Sequence, residues 1–270
     1  MSANYLAVYN EPPHQVHPLE SVTTLDPARS WLVKCDNQHF CTRRSPSMPS
    51  GQHLSMPTRI IDVGPFKNQN VHLVSTEDDI DIWRGQKYMT LSHCWGSPSG
   101  IKQTDITTRA NLEARKRAID ISELPNTFQD AIQITRQIGL RLLWIDSLCI
   151  IQDDAEDMDR ECANMSNIYT CSYATIAASD SVDGHGGCFT PLHSSSNSSC
   201  IIPCKSTDGS RSTTMAIYGG CDEWISTIDG PLQRRGWALQ ERHLSPRILH
   251  FTKSRLLFEC LVRLISSICQ

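Results

Sequence analysis

The sequence has no apolar run long enough to cross a bilayer: the longest, such as residues 142–145, are strand-sized, whereas a spanning helix needs about 20 apolar residues. Residues 1–10 carry no basic segment followed by an apolar core, so they do not read as a secretory signal. Charge of one sign is not in excess. Lys and Arg number 25 against 29 Asp and Glu, a formal charge of −4, which supplies no broad basic field for nucleic acid or anionic membrane. The one dense basic run, Arg115-Lys116-Arg117, fits a solvated helix face. No internal repeat is visible. The expectation is a cytoplasmic protein with no membrane span and no nucleic-acid partner.

What is present fits one large domain, or one domain with appendages: 270 residues, 39% of them apolar and 20% charged. The 12 cysteines are many for a cytosolic chain. Several (Cys149, Cys162, Cys171) lie in apolar runs, where a thiol acts as a small hydrophobe. Without export a disulfide framework does not follow, and the sequon at Asn197-Ser198-Ser199 carries no meaning.

Residues 1–56 are rich in Pro, His and Ser and read as a loose N-terminal extension holding a small cluster of Trp31, Cys35, His39 and Cys41. Runs 58–63 and 71–75 suggest a hairpin across Gly64-Pro65. The central region, 86–180, carries the fold signal. A strand at 88–92 is closed by Gly96-Ser97-Pro98. A helix follows Pro125, with Phe128, Ala131, Ile132, Thr135 and Ile138 at helical spacing and Gly139 as its stop. Then come a strand at 140–145, a helix from about residue 153 marked by Met158, Cys162, Met165 and Tyr169, and a strand at 173–178. Strand, helix, strand, helix, strand describes an α/β fold with a parallel sheet core flanked by helices. Residues 181–212 read as a Ser/Gly-rich loop. The C-terminal part, 213–260, offers a strand at 213–218, a helix near 232–242 and a hairpin pairing 248–252 with 255–260. Residues 261–270 are a short tail.

In open parallel sheets, ligands bind beyond the carboxyl ends of the strands. That rule gathers Ser92-His93-Cys94-Trp95-Gly96, Asp146-Ser147-Leu148-Cys149 and Ser179-Asp180 into one crevice. Each residue also has a purely structural reading. Trp95 packs beside a turn, Asp146 caps the next turn, Cys149 belongs to an apolar run, and Ser92 satisfies backbone. Glu161 lies at the border of its helix's buried stripe, where it could reach the crevice or stay solvated. A cysteine hydrolase using Cys94 or Cys149 would need a depressed thiol pKa and a base in reach. Cys35-x3-His39-x-Cys41 has metal-ligand spacing, but no fourth ligand is evident nearby, so no metal is expected. In the segment 235–242, Trp237, Gln240, Glu241 and Arg242 read as a structural motif, with Trp237 expected to bury against the sheet while Arg235, Glu241 and Arg242 form an ion-pair network.

Taken in order, these segments resemble the heterokaryon-incompatibility (HET) domain family of filamentous fungi. The resemblance runs through Tyr88-Met89-Thr90-Leu91-Ser92-His93-Cys94-Trp95-Gly96, Leu124-Pro125-Asn126-Thr127-Phe128-Gln129-Asp130-Ala131 and Leu143-Trp144-Ile145-Asp146-Ser147-Leu148-Cys149. It continues through Met165-Ser166-Asn167-Ile168-Tyr169 and Arg235-Gly236-Trp237-Ala238-Leu239-Gln240-Glu241-Arg242, with an upstream leader at 57–64, and covers 57–260. Three features depart from the family. His93 stands where Tyr is commoner, Gly236 where Ala is, and the chain stops soon after Cys260, as a shortened product would.

The resemblance implies a death effector in non-self recognition, with self-association and other incompatibility proteins as partners. The family is similar in turn to TIR domains, innate-immunity modules of flavodoxin-like arrangement. Some of these cleave NAD with a helix glutamate placed after the second strand, so the resemblance makes NAD a substrate rather than a cofactor. It puts Glu161 in the catalytic place, with Ser92, Trp95, Asp146, Cys149 and Ser179 binding substrate. The alternative is a non-enzymatic scaffold, favoured if Glu161 is locked in a salt bridge and an apolar patch near Trp237 is exposed.

Overall fold

The computed structural model describes residues 25–39, 41, 56–65, 68–78, 80–83, 85–189, 200–205, 212–217, 230–252 and 255–266, with the side chains of 80, 200–205, 212–217 and 266 outside that description. Four strands form its parallel centre: β3 (Tyr88–Ser92), β5 (Leu142–Trp144), β6 (Ala174–Ala178) and β9 (Arg247–Phe251). Their spatial order is β5-β3-β6-β9, with every neighbouring pair parallel. In chain order that is 2-1-3-4, the flavodoxin-type winding. Every residue of these four strands is buried, as a sheet covered by helices on both faces requires.

The fold is therefore α/β, and antiparallel strands extend it on both sides. β1 (Arg59–Asp62) pairs with β5 and with β2 (Asn70–Ser75), which pairs with the short β4 (Ile119–Asp120). On the opposite edge β9 pairs with β10 (Leu256–Cys260), which pairs with β11 (Leu264–Ser266). The tip expected at Lys253-Ser254 lies outside the described residues.

The α-helices among the described residues are α1 (Asp26–Lys34), α2 (Ile80–Trp83), α3 (Leu112–Arg117), α4 (Asn126–Ile138), α5 (Asp146–Cys149), α6 (Ala155–Cys171) and α7 (Gly236–Leu244). The chain passes from β3 to β5 through α4, then back across β3 to β6 through α6. Right-handed crossovers that travel in opposite directions put α4 and α6 on opposite faces of the sheet. The α7 crossover continues the second direction, and α7 packs on α6. Helix ends follow local chemistry. Asp154 caps α6 by accepting from the Glu156 and Asp157 amides. Gly139 ends α4 at φ 89°, a left-handed conformation that glycine adopts without strain.

Three expectations change here. The stretch read as a loose extension contains α1, whose Ala28, Trp31 and Leu32 join the core. The segment read as an uninterrupted loop includes a strand, β7 (Cys200–Lys205), paired antiparallel with β8 (Ser212–Ile217) in a separate two-stranded sheet. On α6 the buried stripe is Asp157, Glu161, Met165 and Tyr169, while Cys162 is exposed. The cause is Arg59 on β1, which draws both acids inward.

Arg247 holds α1 to the sheet. Its wholly buried guanidinium donates to the Tyr173 carbonyl at 2.8 Å and to Asp36 Oδ1 at 2.7 Å, and lies 3.9 Å from the Tyr173 ring centroid. Removing this buried side chain and its bonds by Arg247→Ala is expected to lower unfolding free energy by about 2 kcal/mol in urea titration, Asp36 keeping the Tyr173 hydroxyl at 2.9 Å. Arg247→Lys should recover only part of the loss, because an ammonium lacks the planar fork that meets two acceptors.

Candidate functional site

The crevice rule of parallel sheets points to the carboxyl edge between β3 and β6, where the winding reverses. Ser92 pairs in register with Ala177 and Thr90 with Trp144. Ser92, Asp146 and Ser179 therefore stand at one edge, at the ends of three adjacent strands about 4.8 Å apart. The site divides between the two faces of the sheet, because alternate residues of a strand point opposite ways.

On the α4 face, His93 meets the Phe128 ring edge-on at 5.0 Å and stacks with Trp95 at 6.4 Å. These three residues, with Ser147, Asp183 and His185, line a small open cleft with a cavity volume of about 70 Å³. Asp146 sets its geometry. It accepts a 2.9 Å bond from the Trp95 indole and lies 3.8 Å from His93 Nδ1. His93 is buried, and that burial lowers its proton affinity; the Asp146 charge opposes the effect and Arg235 adds to it. Two buried polar atoms of the cleft residues, His93 Nδ1 and Ser147 Oγ, have no hydrogen-bond partner among the described residues. Buried polar groups are nearly always paired, so such orphans are the groups a polar ligand would satisfy.

On the α6/α7 face, Ser92 donates to the Glu241 carboxylate, and Tyr169 also bonds Glu241. A file of hydroxyls runs behind it: Thr90 to Thr175 at 2.6 Å, Thr175 to Ser245 at 2.5 Å, and Ser245 to the Glu241 carbonyl at 2.7 Å. Glu241 is 2% exposed. Burial and then the Asp146 charge push its carboxyl up to about 7, against the pull of Ser92, Arg235 and Tyr169. Arg235 also donates to the His93 carbonyl, and with Asp146 it links the two faces.

Trp95 thus lines the cleft, Asp146 holds it, and Ser92 faces Glu241. Ser179 approaches His250 Nδ1 at 3.3 Å. Its carbonyl packs so tightly on Gly230 that a Cβ there would sit 2.1 Å away. Cys149 is core: its carbonyl accepts from Arg59 at 2.7 Å, and burial pushes its thiol up to about 12. Burial raises the Cys94 thiol as well. Both shifts run against what a cysteine nucleophile needs.

Glu161 lies apart. It is 1% exposed, 3.9 Å from Arg59 and 3.6 Å from Arg160, beside the Arg59–Asp157 ion pair. On α6 it is two turns from Tyr169, about 12 Å along the axis. Trp237, expected to be buried, is 57% exposed. Of its neighbours, Glu241 turns inward, and Arg242 pairs with Glu259 at 2.9 Å.

The sequence reading assigned Glu241 to an ion-pair motif and left His93 and Ser147 without a role. A glutamate directly followed by Arg242 and His243 gives no local sign that it will be buried. The fourth ligand-type residue missing from the Cys35-His39-Cys41 cluster is Cys260, on β10.

Residues 88–241 match the family model described as heterokaryon incompatibility protein (HET). No curated protein and no solved structure matches the chain.

The raised Glu241 carboxyl has a consequence for stability. A folded-state pKa near 7, above the 4.5 of a free glutamate, means that the folded chain binds more protons than the unfolded one between those values. Stability is then full below about pH 4.5 and falls as pH rises through 7, by on the order of 3 kcal/mol for this group. Glu241→Gln, neutral at every pH, should lose less stability than the native chain between pH 5 and 8 in parallel denaturant titrations.

Proposed function

Because the chain belongs to the heterokaryon incompatibility (HET) family, we propose that it is an effector of the cell death that follows fusion of genetically different hyphae, working by cleavage of NAD where β3 and β6 diverge. One observation carries this reading: an aromatic cleft with unpartnered polar atoms lies on one face of the sheet edge whose other face holds a carboxyl poised near neutral pH. Trp95 offers a face for nicotinamide, and His93, Ser147 and Asp146 offer polar contacts for the ribose.

Breaking the nicotinamide–ribose bond leaves positive charge on the ribosyl carbon. The bonding pair departs with nicotinamide, and water supplies the hydroxyl and releases a proton. A carboxylate stabilises that oxocarbenium-like state only if its own charge is not already spent. Two guanidinium groups already flank Glu161. Glu241 is the better carboxylate, because it makes no ion pair among the described residues and burial holds it near its ionisation point. Its burial means that the turn carrying Arg235 must open to admit substrate.

Purified protein in forced assemblies is expected to release nicotinamide from NAD, with a rate that rises as pH passes through about 7 and Glu241 ionises. Glu241→Gln should lower that rate by about 100-fold or more, while Glu161→Gln leaves it largely intact. The reverse order would return the role to Glu161, and no nicotinamide under any condition would end the enzymatic reading.

A second reading has its own support. The salt-bridged Glu161 and the exposed pair Trp237 and Leu239, 57% and 62% accessible on α7, suit a scaffold that signals by self-association without chemistry. Trp237→Glu with Leu239→Glu should then shift the chain from oligomer to monomer in light scattering and abolish killing in a fungal death assay. Under this reading Glu241→Gln would kill as the native chain does.

A further inference from the structure

Far from the crevice, four side chains of metal-ligand type meet at the edge of the sheet. Cys35 and His39 lie on the single π-helical turn that extends α1, where residues four apart fall on one side. Cys41 follows, and Cys260 closes the group from the end of β10. Their sulfurs and imidazole nitrogen all lie within 4.8 Å of one another. His39 Nδ1 is 3.4 Å from Cys260 Sγ.

We propose that Cys35, His39, Cys41 and Cys260 bind one zinc ion in a tetrahedral Cys3His site that joins the N-terminal helix to the C-terminal hairpin. Zinc holds sulfur at about 2.3 Å and imidazole nitrogen at about 2.0–2.1 Å, which separates ligand atoms by roughly 3.5–3.8 Å. The cluster needs only small side-chain adjustments to reach that spacing. Four protein ligands leave no open position, so the site is structural rather than catalytic.

The surroundings suit it. Cys35 and Cys41 are buried in the main core. The Leu261 amide donates to the Cys41 sulfur, the contact a thiolate accepts better than a thiol does. Trp31 stacks on Phe258 at 6.1 Å, and Arg247 holds Asp36, between two of the ligands, at 2.7 Å. The ligand-bearing segments are thus positioned by packing that does not itself use the metal. A disulfide between any two of the cysteines would leave the third thiol and the imidazole without a purpose.

Elemental analysis of the full chain, purified without added metal or chelator, is expected to give one zinc per chain. Cys260→Ser should lose that zinc, and Cys162→Ser, at an exposed cysteine outside the cluster, should keep it. A strong chelator should lower the melting temperature of the native chain by roughly 10 °C, and zinc should restore it. Reconstitution of the native chain with cobalt gives a readout that does not depend on a variant folding. Thiolate-to-cobalt charge-transfer bands and intense tetrahedral d–d bands are expected. Metal-free protein whose melting temperature ignores zinc and chelator, full zinc retention in Cys260→Ser, or a mass showing a disulfide among these cysteines would overturn the site.

Discussion

Backbone pairing of β3 between two parallel neighbours is the constraint on which the rest depends. Five residues, buried on both faces, are locked in register with β5 on one side and β6 on the other. Because the chain leaves β3 toward one neighbour and returns to the other, no connection crosses the carboxyl edge between them. Ser92 and His93 therefore end side by side but face opposite layers, and Asp146 stands level with both. Moving β3 by one residue would exchange the two faces, sending Ser92 toward Phe128 and His93 toward Glu241.

Around that sheet, buried and half-buried acids are neutralised in two ways. Most take a guanidinium. Asp157 has Arg59 and Arg160, Asp62 has Arg141, Asp36 has Arg247, and Glu259 has Arg242 with His250. Glu259 accordingly falls to about 2 despite its burial. Glu241 differs. Burial and then the nearby Asp146 charge discourage its ionisation, against the pull of the Ser92 and Tyr169 hydroxyls and of Arg235, so the fold favours its neutral form. Charge pairing builds the frame, and an acid with no ion pair among the described residues sits at the mouth of the sheet. Placing a proton-exchanging group there destabilises the fold at neutral pH and above, which is what a functional rather than a structural role would tolerate.

Much of the architecture was legible from local pattern. Phe128, Ala131, Ile132 and Thr135 at helical spacing before Gly139 identify α4, and all four are buried. The β-prone runs became β3, β5, β6 and the outer hairpins, since a strand's alternation or full burial is written in neighbouring residues. Where the pattern was misleading, distant partners decided. Glu161 and Asp157 look like surface acids until Arg59, roughly a hundred positions earlier in the chain, turns them inward. Trp237 looks like core, yet α7 presents it to solvent and buries Glu241. β7 was hidden in a Ser-rich stretch whose pairing with β8 supplies what composition does not.

By itself the sequence determined the kind of protein this is. Ordered motifs from Tyr88 to Glu241 mark the family, and periodicity fixes an α/β chain with its sheet edge near Ser92, Asp146 and Ser179. Tertiary structure alone decided which acid stays near neutrality and which cysteine joins Cys35, His39 and Cys41. Ser92 and Glu241 are 149 positions apart, and His39 and Cys260 are 221 apart. The reason is physical. Helix and strand preferences arise from interactions over a few residues, whereas a shifted pKa or a ligand set depends on which groups share a volume from which water has been removed.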